Sequence, residues 1–138
     1  MQETVDKETF LSEPNVAILA TTGPGKRAHA VPVWYLYEEG RFIMSAGASS
    51  QKVRNIERQG EASLVVDRRD VPYYAVMVRG ATEIGGPISE ELRLRLAVRY
   101  LGDDMGRAYA AQRTGSDSVT IYLQPVSVIE YVGEAGRE

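Results

Sequence analysis

Ser50, Lys52 and Asn55 stand in the block "SAGASSQKVRNIERQG" (Ser45 to Gly60), where small residues run into a short amphipathic segment. This pattern suits a bound anion such as a phosphate. The first amides of a helix have no intrahelical acceptor and its dipole favours negative charge there, while Ala46, Gly47 and Ala48 allow close approach to the backbone. With about 100° per residue, Val53 and Ile56 define the core direction; Lys52 lies roughly 70° from it and Asn55 roughly 130°, both on one flank, with Arg54 and Arg58 nearly opposite. Lys52 is the better-placed anion ligand, and Arg54 and Arg58 read as a solvated face. Ser50 suits an ordinary N-cap, a role that needs no ligand.

Little else in the chain suggests side-chain chemistry. There is no cysteine, which removes thiolate nucleophiles, disulfides and zinc-thiolate sites. The sole histidine, His29, has no second histidine for a metal site or a triad and reads as a strand-packing residue. "GPGKRA" (Gly23 to Ala28) fits G-x-G-x-x-A formally, but the strand-like "HAVPVWYLY" follows it rather than a phosphate-receiving helix, so it reads as a hairpin turn. Tyr73 and Tyr74 follow Pro72 at a strand entrance, where successive side chains face opposite ways; ligand contact and plain strand packing both fit.

These residues need a scaffold of antiparallel strands. Thr4 to Leu11 is expected to be a short helix, ended by Pro14. Strands are expected at Val16–Thr22, Arg27–Tyr37, Arg41–Ala46, Ala62–Asp67 and Tyr73–Ile84, with a helix from about Ser50. Ser89 is expected to cap a long helix in which Leu92, Leu96 and Tyr100 recur, followed by a loop-and-helix segment over Gly102–Gly115. Two last strands are expected on either side of Pro125. The sum is about seven strands and two or three helices without βαβ alternation: a mainly β, small antiparallel barrel with helices packed outside. Pro32 cannot donate to a ladder, and both faces of its strand are apolar. Either a helix, a second copy or a flat cofactor should cover the second face.

Composition narrows the function. The 138 residues fit one domain, 1–138, and 43% hydrophobic with 25% charged residues is ordinary for a folded globular chain. A formal charge of −3 argues against a broad nucleic-acid surface. No apolar run approaches the roughly 20 residues of a membrane span, and the polar N-terminus is unlike a secretory signal, so a cytoplasmic location is expected.

The chain resembles the FMN-binding split β-barrel, or pyridoxamine 5′-phosphate oxidase-like, superfamily. The resemblance rests on the "VPVWY" strand and the S-x-K-x-x-N block of Ser50, Lys52 and Asn55, and it covers most of the chain. Within the superfamily it looks most like the small deazaflavin-dependent reductases that use coenzyme F420. This implies a homodimer with cofactor at the subunit interface, and hydride transfer from reduced coenzyme F420, with FMN the alternative cofactor. A non-catalytic protein holding a flavin, deazaflavin or tetrapyrrole is the remaining alternative. By motif match, the implied cofactor contacts are Val31, Pro32, Val33 and Trp34; Ser45 and Ala46; Ser50, Gln51, Lys52 and Asn55 near the phosphate; and Tyr73 and Tyr74, from the same or the other subunit. No metal is implied. The arginine-rich FMN pattern and C-terminal substrate motif of true pyridoxamine phosphate oxidases are not evident, which counts against that particular activity.

Overall fold

The computed structural model describes residues 5–133. Helix α1 (Lys7–Ser12) is capped by Asp6, and Thr4, where a helix start is expected, lies outside the described residues. Strand β1 (Ala17–Thr22) turns through a single 3-10 turn at Pro24–Lys26 into β2 (Ala28–Val33), as a hairpin reading of "GPGK" requires. Then follow β3 (Leu36–Glu38), β4 (Arg41–Gly47), α2 (Gln51–Gln59), β5 (Glu61–Arg68), β6 (Tyr74–Pro87), α3 (Glu90–Leu101), α4 (Asp103–Gln112) and β7 (Ser118–Val132). No helix among the described residues is long and apolar enough to cross a membrane.

All seven strands form one antiparallel sheet in the order β2-β1-β5-β6-β7-β4-β3. Alternate residues point inward, so Leu19, Phe42, Met44, Leu64, Val76, Ile121 and Leu123 share one fully buried core. Val53 and Ile56 of α2 and Phe10 and Leu11 of α1 join that core. A smaller cluster outside it packs Leu92 and Leu96 of α3 on Leu36 and Ile43. Arg95 of α3 also pairs with Glu38, whose carboxyl that hydrogen-bonded guanidinium holds below its ordinary range.

The sheet curls round its core without closing. Its two edges, β2 and β3, are consecutive in the chain and separated only by Trp34 and Tyr35. The single strand expected over Arg27–Tyr37 is therefore two strands at opposite edges of the sheet. Tyr100 of α3 makes the break possible: its hydroxyl accepts from the Tyr35 amide at 3.1 Å and lies 3.2 Å from the Tyr35 carbonyl and 2.8 Å from that of Asn15. Backbone groups that leave the ladder thus find a side-chain partner. The two strands expected around Pro125 are one long strand instead. A register shift at Arg79/Gly80, where Gly80 faces Pro125, absorbs the proline as a bulge.

Buried phenols set an alkaline limit on this fold. The Tyr35 hydroxyl donates to the Leu11 carbonyl at 2.9 Å, and burial pushes it up to about 12. Tyr37 is pushed up to about 12 by burial and by its hydrogen bond to Glu8. The folded state favours the neutral phenols, so their contribution is complete below the unfolded value of about 10 and is lost as pH rises from there to about 12. Expected, therefore, is a group of tyrosines whose phenolate absorbance appears only together with loss of circular dichroism. Titration of every tyrosine at its ordinary value, with the fold retained, would contradict this.

Candidate functional site

The N-terminus of α2 carries an unusual serine. Ser50 occupies the cap position with extended backbone, yet its side chain caps none of the helix amides, and its buried Oγ has no partner among the described residues. Ser89 shows the contrast: at the start of α3 the same residue type accepts from the Leu92 amide at 3.1 Å. A buried hydroxyl left alone costs about 1–3 kcal/mol, so this one suits a ligand oxygen. Gly47 lies just before it, and a Cβ built there would meet nothing within 4 Å. With free first-turn amides and the dipole added, these residues fit a phosphate-bearing cofactor.

Lys52 connects this helix end to a cavity of about 370 Å³. That volume lies in the range of small-molecule sites. Pro32, Val33 and Trp34 line it from the β2 edge, together with Ser45 of β4. An edge strand leaves a row of backbone groups unpaired, and Pro32 removes one donor from it. Trp34 is fixed from behind by α3: its ring stacks on Tyr100 at 4.9 Å and 5°, while Tyr109 of α4 lies 5.6 Å away. A helix therefore covers Trp34 and Leu36 on the second strand face, whereas Pro32 on the same face stays exposed.

The other residues implied by the motif lie around the cavity rather than on its wall. Val31 and Ala46 pack into the barrel core. Gln51 donates to Asn55 Oδ1 at 2.7 Å and accepts from Arg54 at 2.8 Å. Asn55 is fully buried, and its Nδ2 donates to Thr21 Oγ1 at 3.0 Å, so it ties α2 to β1. Arg54 and Arg58 are exposed, as a solvated face requires, although Arg58 reaches back to the Thr22 carbonyl at 2.7 Å. Tyr73 and Tyr74 line a second cavity of about 430 Å³ with Arg68, Arg69 and Tyr131, and it shares no residue with the first. Burial, then the hydrogen bond to Glu130, raises the Tyr74 phenol above its ordinary range.

Sequence reasoning missed the far wall, built from α3, α4 and the start of β7: Arg93, Leu96, Tyr109, Arg113, Ser116 and Ser118. One signal was available. Arg93 sits at the 93, 96, 97 spacing of the buried stripe of α3, and a cation at such a position needs a reason. Its guanidinium pairs with Glu90 at 2.6 Å and donates to Ser116 Oγ at 3.1 Å.

Comparison with known proteins places this geometry in a lineage. A conserved hypothetical protein of Mycobacterium tuberculosis superposes with a TM-score of 0.77 at 22% identity, over 94% of this chain and 86% of its own. An F420 reductase superposes with a TM-score of 0.75 at 26% identity, over 92% of this chain and 98% of its own. HutZ, the heme storage protein of Vibrio cholerae, shares the fold with a TM-score of 0.67 at 15% identity, covering 91% and 90% of the two chains. No curated protein matches the chain. The pyridoxamine 5′-phosphate oxidase family profile matches residues 6–132, and the chain, a split β-barrel, belongs to that family.

Proposed function

We propose that the protein is an oxidoreductase that uses reduced coenzyme F420 to deliver hydride to a small unsaturated organic substrate. The observation that carries this reading is that Lys52, two residues after the orphaned Ser50 hydroxyl, lines one cavity with the Pro32–Trp34 edge. The 26% likeness to an F420 reductase over nearly the full length of both chains supports the deazaflavin reading, and FMN is the alternative. Ser50, Lys52 and the first amides of α2 would hold the phosphate, and Pro32, Val33 and Trp34 would lie along the ring system. The bound coenzyme supplies the hydride, and the chain orients the acceptor and excludes water. Neither Tyr73 nor Tyr74 of the same copy lines this cavity.

A second copy of the chain completes the proposed site. Pro32, Ile18, Val65, Met77 and Ile129 are successive cross-strand partners, an apolar row over five strands on the outer face. None of the five is buried. Because Pro32 belongs to both row and cavity, a partner on the row also closes the open side of the site. A monomer mass by light scattering would rule this out.

Turnover tests the function. The purified protein is expected to be colourless and to oxidise reduced coenzyme F420 only when an enone-type acceptor is added. A yellow protein with tightly held FMN would establish the flavin enzyme instead. Coenzyme binding without turnover against any acceptor would mark a sequestering protein.

A further inference from the structure

We infer that Arg93 and Arg113, with Trp34 and Tyr109, form a subsite for the carboxylate of a planar, conjugated acceptor; this deepens the proposed function and rests on it for the word acceptor. The first observation is charge. In a chain of formal charge −3, the cavity wall carries Lys52, Arg93 and Arg113 and no acidic side chain. The second is that these cations come from different elements. Lys52 belongs to the first turn of α2 with the Ser50 hydroxyl, whereas Arg93 and Arg113 stand on the helix pair that forms the other wall. One phosphate at α2 leaves Arg113 without an anion, while Arg93 already pairs with Glu90.

The geometry favours a flat anion. Arg93 is only 7% exposed and is held by Glu90 and Ser116, which fixes its guanidinium in place. Arg113 makes no salt bridge among the described residues, and its guanidinium lies 4.7 Å from the centre of the Tyr109 ring. Tyr109 in turn lies beside Trp34, so an aromatic wall ends at a cation. Guanidinium groups bind carboxylates through paired hydrogen bonds, and aromatic faces stack on conjugated systems. A carboxylate at one end of a flat unsaturated molecule meets both requirements. A neutral acceptor would leave the exposed Arg113 at the cavity wall without an anion.

Trp34 is the only tryptophan in the chain, so its fluorescence reports on this cavity without a label. Cinnamate and the isosteric neutral cinnamamide are titrated into the protein, into Arg113→Gln and into the charge-conserving Arg93→Lys. Cinnamate is expected to bind the parent protein about tenfold or more tightly than the amide, the worth of one charge-assisted hydrogen bond. Arg113→Gln, at an exposed position, should keep the fold by circular dichroism and lose that preference. Coenzyme F420, titrated in parallel by its own fluorescence, should bind Arg113→Gln within about twofold of the parent, because its phosphate is held by another element. Equal affinities for acid and amide would overturn the subsite, as would a preference that survives both variants. Loss of coenzyme affinity in Arg113→Gln in step with the cinnamate loss would assign these cations to the cofactor's own anionic groups and overturn it too. If the parent bound neither coenzyme F420 nor FMN yet preferred cinnamate, the oxidoreductase reading would fall and the anion subsite would stand.

Discussion

The Lys52→Ala variant is expected to bind coenzyme F420 more weakly by about 1.5–3 kcal/mol, roughly 10- to 150-fold, with its folding stability unchanged. Lys52 is half-buried, lines the cavity and follows the one helix cap whose hydroxyl has no protein partner. Its ammonium and the phosphate attract in a partly screened site, where a charge-assisted hydrogen bond retains most of its worth. The helix amides and Ser50 remain in the variant, so binding should weaken rather than vanish. Arg54→Ala is the control: its guanidinium donates to the Ser49 carbonyl and to Gln51 outside the cavity, and the coenzyme should not sense its loss. Fluorescence titration separates the two outcomes. Equal losses in both variants would mean a diffuse charge effect in place of a ligand.

Gly106→Ala should have the largest effect on stability of any single methyl addition near the site. A Cβ at Gly106 of α4 would fall 2.6 and 2.7 Å from the Val98 Cα and N and 2.8 Å from the Ala97 carbonyl carbon, all α3 backbone. Backbone atoms cannot rotate away, so α4 must move off α3. Overpacking of this kind costs about 1–3 kcal/mol, against which the better helix propensity of alanine returns up to about 1. The movement also carries Tyr109 and Arg113 away from the cavity, so ligand binding should weaken along with the urea midpoint. Gly47→Ala provides the comparison, since its Cβ meets open space and should leave the midpoint in place. An unchanged midpoint in Gly106→Ala would show that the helix pair is not packed as described.

Local pattern and long-range packing divide what the chain reveals before its structure is known. The Ser89 cap and the inward alternation of β1, β5 and β6 follow from residues close in sequence, so they are legible there. The break at Trp34–Tyr35 is not, because the group that permits it, the Tyr100 hydroxyl, lies 65 residues away. Pro125 invites a strand end under a local rule, whereas Gly80 across the ladder leaves room for a bulge. The expected seven strands agree in number with the observed seven only because one expected strand divides and two others merge.

The candidate site divides in the same way. Lys52 was legible from the helix start that carries it, and Ser45 and the Pro32–Trp34 edge from the motif match; all line the cavity. Asn55 shows where the helical wheel runs out. About 130° from the core direction is a flank on an isolated helix, but against a barrel that flank meets β1, and Asn55 is buried there on Thr21. Its amide is satisfied, as a buried polar group must be. Arg93, Tyr109 and Arg113 join the site through the packing of α3 and α4 on the β2–β3 break, which no local spacing encodes.

The central claim, a phosphate-bearing deazaflavin held at the α2 N-terminus beside the Pro32–Trp34 edge, is tested most directly by titrating the full chain with coenzyme F420 and FMN side by side, read by fluorescence. Saturable binding of coenzyme F420, tighter than that of FMN and quenching Trp34, is the expected result. Tighter binding of FMN, or no saturable binding of either with Trp34 unperturbed, would contradict it.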